Sequence, residues 1–393
     1  MNALRILLIS SALPRDTTAG EVVLYRHFSQ LPELKLAIAT DNSEDLLVET
    51  LLELRANRVL NRLTKTRFSQ WTHTLCQCFH PFFDYKILRR YIRTHQLDLI
   101  LTVAEGTHWI AAQQMSQEFN IPLVTIFHDW WPDLASIHPW TKETLERRFK
   151  QLYQQSVLAF CVSEKMQQLL GTHPNAQILY PIPDQLTLMK KNITLLNEKP
   201  FRLVYAGSVS GIYAPMMQGL CTALEGIQEI QLKVFGRQPN WSDDFLQKLT
   251  EQDIYGGFIS RDLLRQELIL ASGLLVTISF GEENRRWAET SFPSKLVEYC
   301  QYNKPIIIWG PEYCSAVQWG RKHHSALIVT SPLAQDLVGA IQKLAAKPEE
   351  QERLKNKALE MAQGMFNPEK IQQQFLERIY QVADLKSRKE IYL

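Results

Sequence analysis

The stretch KKNITLLNEKPFRLVYAGSVSG, Lys190–Gly211, divides the chain in two. Its first part is polar and ends on Pro200, the composition of a linker. FRLVYA then reads as a buried strand, and Gly207-Ser208 as the turn that follows it. A run of strands and helices ends before this stretch, and a second run begins inside it.

Working back towards the N-terminus, MNALRILLIS reads as a first strand and Glu21–Gln30 as the helix after it, with Leu24, Phe28 and Leu31 at helical spacing. Leu34–Thr40, Leu97–Val103, Ile121–Asp129 and Val157–Ser163 are further strands, the last followed by a helix, EKMQQLLG. Working forward, Ile230–Gly236, Leu274–Phe280, Lys304–Pro311 and Ala326–Ser331 are strands. Helices fit between them at Ala214–Leu224, Asp243–Glu251, Asp262–Ala271, Lys295–Gln301 and Ala334–Lys347. Such alternation implies an α/β fold: two doubly wound domains, each a parallel sheet covered by helices on both faces. The expected division is 1–190, 200–367 and a final helix from Pro368 to Tyr380, within 368–393, packing back on the first domain. In such sheets ligands bind beyond the carboxyl ends of the strands, and with two domains the expected site is the cleft between them.

The 393 residues are too many for one ordinary core and suit two or three domains. Hydrophobic residues at 45% and charged ones at 21% exclude a mainly disordered, collagen-like or disulfide-scaffold chain. The charge balance, 43 Lys and Arg against 41 Asp and Glu, leaves no chain-wide basic field for nucleic acid. Six scattered cysteines form no Cys-x-x-Cys pair and read as reduced, mostly buried thiols of a cytoplasmic protein. MNALRILLIS lacks the long apolar region of a signal peptide, and nowhere do about 18 apolar residues run together, so a transmembrane helix is not expected.

Chemistry concentrates in AETSFPSKLVEYCQYNKPIIIWGP, Ala288–Pro311. Thr290, Ser291 and Pro293 precede a helix starting near Ser294, where Ser or Thr suits the cap and proline the first turn. Free backbone N–H groups there favour an anion, and Lys295 adds a full positive charge. Glu298, one turn on, can reach past a phosphate to hydroxyl groups, and a phosphate beside a diol describes a nucleotide. The competing reading is a capped helix with a solvated Lys and Glu.

The run SFPSKLVEY…NKPIIIWGP resembles the donor-site signature of GT-B glycosyltransferases, above all the retaining, family-4-like group. Glu298 matches the signature's second Glu, which the resemblance makes the ribose ligand. The first Glu falls on Thr290, with Glu289 beside it, and Asn303 stands where a Gly usually precedes Lys304-Pro305. The resemblance places Ser291, Phe292, Pro293, Ser294 and Lys295 at the donor. YAGSVSG (Tyr205–Gly211) resembles the first strand and turn of the nucleotide-binding domain, with Gly207 and Ser208 near the diphosphate. FGR (Phe235–Arg237) makes Arg237 a diphosphate partner, and Ile254–Phe258, with Gly257 and Phe258, falls where the base is held.

In the first half, FHDWWPD (Phe127–Asp133) follows a strand. The resemblance implies that His128 faces the sugar, with Asp129 next to it. Gly20, opening the first helix with Glu21, would pass close to the donor phosphates, since glycine has no Cβ. Glu105 and Gly106 would touch the acceptor. A structural histidine and ordinary turn glycines are the alternatives.

From Arg55 to Arg93, nine positive residues (Arg55, Arg58, Arg62, Lys65, Arg67, Lys86, Arg89, Arg90, Arg93) stand against Asp84 alone, with Trp71, Phe79, Phe82, Phe83, Tyr85 and Tyr91 interleaved. Three readings stay open: an anionic membrane or polyphosphate-lipid surface, a solvated helical face, and, least favoured, nucleic acid. The first would make the protein peripheral on the inner membrane face.

The resemblance therefore implies transfer of a sugar from a nucleotide diphosphate sugar, as substrate, to a hydroxyl of a glycan, lipid-linked or small acceptor. Retention is implied, no cofactor is expected, and no Asp-x-Asp is present to hold a metal. The expected catalytic residues are Lys295, His128 and Asp129. A nucleotide-sugar epimerase of the same fold, and a non-catalytic nucleotide-sugar-binding protein, are the alternatives.

Overall fold

A computed structural model describes residues 3–15, 19–28, 34–42, 50–79, 81–184 and 200–391. Its contacts divide the chain into two compact units, Met1–Ile182 with Ile371–Leu393, and Pro183–Lys370. Most of the expected linker, up to Lys199, lies outside the described residues, as do Leu31 and the last two residues of the expected helix Glu21–Gln30.

The first unit holds a seven-stranded parallel sheet. In chain order its strands are β1 (Leu4–Ile9), β2 (Leu34–Thr40), β3 (Thr50–Glu53), β4 (Leu99–Val103), β5 (Leu123–Phe127), β6 (Leu158–Cys161) and β7 (Ala176–Ile178). Across the sheet they run β3-β2-β1-β4-β5-β6-β7. The strand order reverses between β1 and β4, the position where doubly wound sheets open a ligand crevice. The first helix is Ala19–Phe28 and contains Gly20. The second unit holds a six-stranded parallel sheet of β8 (Phe201–Ala206), β9 (Ile230–Phe235), β10 (Tyr255–Gly257), β11 (Gly273–Thr277), β12 (Ile306–Trp309) and β13 (Leu327–Val329). Their order is β10-β9-β8-β11-β12-β13, with the reversal between β8 and β11.

The central strands are apolar at nearly every position because helices bury both faces. All five residues of β4, β5 and β11 are buried. The last helix, Pro368–Ile391, runs well past Tyr380. Its Ile371, Phe375, Ile379 and Val382, three or four residues apart, enter the same core as Ile6, Leu101 and Val124 of the first sheet.

Three strands, β3, β7 and β10, are not expected from the sequence. Each is three or four residues long and lies at a sheet edge, so no alternation or long apolar run marks it. The helix Pro348–Gln363 was also not expected; its charged N-terminal half masks the buried Leu354, Ala358 and Met361. The six cysteines are free and buried. Among the described residues, no helix is long and apolar enough to cross a membrane.

Candidate donor and acceptor sites

In the second unit three neighbouring strands run out side by side on glycine. β8 leads into Gly207, β9 into Gly236, and β10 ends on Gly257. Gly207 N donates to Phe235 O at 2.8 Å, and Gly236 N donates to Gly257 O at 3.0 Å. The backbones approach so closely that a Cβ on Gly236 would stand 2.1 Å from Gly207 O. Gly257 has φ +71°, the left-handed region that suits glycine. A bare backbone floor results at the carboxyl edge of the sheet, with Gly207 beside the strand-order reversal.

Lys295 crosses this floor. It belongs to the helix Ser294–Cys300, where Pro293, and not a Ser or Thr, takes the cap position, and no side chain caps the first N–H groups. The ammonium lies 5.0 Å from the centre of the Tyr205 ring, and a Cβ on Gly207 would stand 1.4 Å from Lys295 Nζ. Burial pulls the Lys295 pKa down to about 8. Among the described residues no carboxylate pairs with it. One turn on, the buried Tyr299 hydroxyl accepts from Ala206 N at 3.0 Å and lies 3.3 Å from Ala206 O, to which it donates. Tyr205 Oη donates to Ser208 O at 2.6 Å, which fixes the exit turn of β8. At the far side of the floor Arg237 is exposed, its guanidinium 5.8 Å from the centre of the Phe258 ring, which is itself 77% exposed.

Glu298 is half-buried on the same helix as Lys295 and accepts a long bond from Asp184 N at 3.5 Å. The Asp184 carboxylate is in turn paired with Arg265. Other members of the expected donor run turn away. Thr290 is fully buried, and its hydroxyl donates to Arg286 O at 2.8 Å. Phe292 is a core residue, about 6 Å from the rings of Trp319 and Phe366. Ser291 O accepts from the Ser315 hydroxyl. Glu289 accepts from Arg285 Nε at 3.0 Å, while Arg285 also lies 4.3 Å from the centre of the Tyr313 ring.

In the first unit, the residues after β1, β4 and β5 meet at the strand-order reversal. Ser11 Oγ donates to Glu105 Oε1 at 3.2 Å. Gly106 has φ +61°, and a Cβ there would stand 2.8 Å from Ser11 Oγ, so both conformation and space require glycine. Burial raises the Glu105 pKa above the usual carboxylate range against the bond from Ser11, and the charges of Asp129 and Glu21 add to the rise. Burial lowers the His128 pKa, with Asp129 opposing. His27, on the first helix, is buried and pushed down to about 3, chiefly by desolvation, although Gln372 Oε1 lies 3.1 Å from its Nδ1. His128 is one of the charges acting on it, so His27, His128, Asp129 and Glu105 share one electrostatic neighbourhood. Nearby, His108 Nε2 lies 3.0 Å from Asp41 Oδ1.

The geometry thus brings together Gly207, Ser208, Arg237, Gly257, Phe258, Lys295 and Glu298 in one unit, and Glu105, Gly106, His128 and Asp129 in the other. Sequence reading missed Gly236 and Tyr299 in the first set. In the second it missed Ser11, His27 and the Asp41–His108 pair. Gly236 was the one with a signal, as a glycine directly after a strand.

Residues 49–178, most of the first unit, match the model of Glycosyltransferase Family 4. No curated protein sequence matches the chain. Among solved structures, it is similar to sucrose-phosphate synthase from Thermosynechococcus elongatus, at 15% identity over 96% of this chain and 99% of that one, with a TM-score of 0.65. HepE of Anabaena in complex with UDP-glucose aligns at 15% identity over 96% of this chain and 100% of its own, TM-score 0.66. α,α-Trehalose 6-phosphate synthase from Burkholderia multivorans aligns at 12% identity over 99% and 98%, TM-score 0.61. The two sheets with their flanking helices are the GT-B fold. The family match adds that residues 49–178 of this chain are similar to Glycosyltransferase Family 4.

Proposed function

We propose that the second unit binds a nucleotide diphosphate sugar and that the first unit binds the hydroxyl acceptor. The observation that carries the reading is Lys295: a half-buried cation, without an acidic partner among the described residues, laid across a glycine floor at the sheet's reversal point. A diphosphate fits there because a backbone without side chains admits phosphate oxygens closely, and the ammonium completes its charge. HepE, of the same fold, has been solved with UDP, with UDP and glucose, and with UDP-glucose.

As the sugar leaves the diphosphate, negative charge builds on the β-phosphate oxygens. Lys295 is already in place to meet that charge, and Arg237 supplies a second cation without displacing a buried partner. Glu298, which accepts a long bond from Asp184 N, can also accept from the ribose hydroxyls. Gly257 and Phe258 offer a backbone edge and an exposed ring to the base. On the acceptor side, His128 with its lowered pKa is neutral near pH 7, so one ring nitrogen can accept a hydrogen bond from a sugar hydroxyl. Glu105 and Asp129 orient the acceptor. We place retention here as well: a leaving phosphate oxygen takes the acceptor's proton on the face from which it departs, so no separate base is needed. Lys295 and Arg237 then carry the charge that a divalent cation carries in other transferases.

The test is Lys295→Ala and Glu298→Ala against a panel of nucleotide diphosphate sugars, starting with UDP-glucose. Loss of donor binding and of transfer by at least about 100-fold for Lys295→Ala supports the reading. Near-normal transfer with both variants refutes it. Turnover of the donor without any added acceptor, into an isomeric sugar, would mark an epimerase instead.

A further inference from the structure

The helix Ser69–Cys78 turns its apolar side outward. Phe68, Trp71, Leu75 and Phe79 follow one another at intervals of three and four, the spacing of a single helical face. All four stand in solvent, with Trp71 54% and Phe79 61% exposed. The buried side carries Thr72, Thr74 and Gln77 beside the thiols of Cys76 and Cys78. Their polar groups are engaged. His138 N donates to Thr74 Oγ1 at 2.8 Å, Trp131 Nε1 to Gln77 Oε1 at 3.2 Å, and Arg148 to Gln77 O at 2.8 Å. Rolling the helix to hide its aromatics would break these bonds inside the protein, so the exposed stripe is built in.

The stripe continues beyond its own helix. Trp140, 64% exposed, has its ring centre 6.2 Å from that of Trp71. The charge around it is mainly positive, with the exposed Glu143 in the first turn of the helix Lys142–Gln155 as an exception. From Leu54 to Phe83 there is no Asp or Glu, while Arg55, Arg58, Arg62, Lys65 and Arg67 are all exposed. On the neighbouring helices, Asp133 is paired with Lys142 at 2.7 Å and Glu146 with Lys150 at 3.1 Å. Soluble proteins rarely leave a contiguous aromatic stripe to water without a use.

We propose that this face docks on the anionic surface of a lipid bilayer. Trp and Phe at the rim of a helix lodge at the headgroup level, and the cations beside them meet the negative surface potential. A second copy of the chain is the poorer occupant, since a symmetric pairing would oppose five cations to five with no acid in the stretch to relieve them. The proposal does not rest on the donor-site reading, because all of its residues belong to the first unit.

The full chain is sedimented with vesicles of phosphatidylcholine alone and of phosphatidylcholine with about 30% phosphatidylglycerol, at low and high salt. Binding to the anionic vesicles, at least about tenfold weaker on the neutral ones and weakened by salt, is expected. Each cation near such a surface contributes about fivefold, so the combined Arg58→Gln, Arg62→Gln, Lys65→Gln variant should bind about 100-fold less. Trp71→Ser with Phe79→Ser should lose binding too, and tryptophan emission quenched by brominated-chain lipid should recover in Trp71→Ser with Trp140→Ser. These side chains are exposed, so melting temperatures should stay within about 2 °C of the parent. The proposal is overturned if the parent ignores anionic vesicles, or if both variant sets bind them as the parent does. It is equally overturned if sedimentation shows a dimer that the aromatic variant dissolves, or if single-stranded nucleic acid competes for the face more tightly than vesicles.

Discussion

Gly207 and Lys295 occupy one another's space: the Cβ that any other residue would bring to position 207 falls 1.4 Å from Lys295 Nζ. The obstacle is the far end of a flexible side chain, so Gly207→Ala should fold with little loss of stability. Its cost should fall on the ligand, because the ammonium must leave the floor. Calorimetric titration with UDP-glucose is expected to show donor affinity lower by about 10-fold or more, near the worth of a displaced charge-assisted bond.

Gly236 gives the opposite balance. A Cβ there would meet the backbone carbonyl of Gly207 at 2.1 Å, and a backbone atom cannot step aside as the end of a flexible side chain can. Gly236→Ala should therefore lose about 3 kcal/mol of stability, at the upper end of ordinary overpacking, as read by urea unfolding. If instead Gly207→Ala unfolds and Gly236→Ala does not, the floor is not built as described.

Lys295 is expected to weaken the fold it serves. An ordinary lysine titrates near 10.5, and burial brings this one to about 8. The folded state therefore holds the proton less tightly than the unfolded chain does. That penalty is complete below pH 8, shrinks between 8 and 10.5, and is gone above. Lys295→Met should raise the melting temperature at pH 7 and leave it nearly unchanged at pH 10, while donor binding is lost. In the parent protein, UDP affinity should fall as pH rises past about 8. A melting temperature that drops at pH 7 would contradict this assignment of the charge.

Tyr299 ties the helix that carries Lys295 to the last residue of β8 through both backbone atoms of Ala206. Tyr299→Phe keeps the ring and removes the hydroxyl, leaving a buried N–H and C=O short of a partner. The loss should be about 1–3 kcal/mol in urea unfolding, with donor affinity reduced because the floor and the helix are no longer pinned together. Unchanged stability would mean that water replaces the hydroxyl.

The two sheets were legible because their central strands, such as LDLILTV and LLVTISF, are mostly apolar with no polar alternation, and that pattern survives only where helices cover both faces. Within the donor run, the sequence led to Lys295 and Glu298 through their position after a proline and a strand. It could not separate them from Thr290 and Phe292, which share the run but point into the core. Tyr299 was hidden for a related reason: among Leu296, Val297 and Cys300 it reads as one more apolar-face residue, and only coordinates show its hydroxyl on Ala206. The outward stripe of Phe68, Trp71, Leu75 and Phe79 has the spacing of a core-facing helix. Which side faces inward was decided by the partners of Thr74 and Gln77, and they come from segments some 60 residues away.

On the acceptor side, Glu105 is the residue whose removal should separate the two substrates. Burial raises its pKa, so the folded state binds that proton more tightly than the unfolded chain. The stabilisation this brings is complete below the ordinary carboxylate value and is lost as pH rises through the raised one. Glu105→Gln resembles the protonated form, and should melt higher than the parent at pH 7 while the difference closes near pH 4. Its Ser11 neighbour can still donate to the amide oxygen, so the loop after β4 should stay in place. If Glu105 orients the acceptor, the variant should show a raised KM for whichever hydroxyl acceptor turns over and an unchanged Kd for UDP-glucose. A weakened donor with an unaltered acceptor KM would move Glu105 out of the acceptor site.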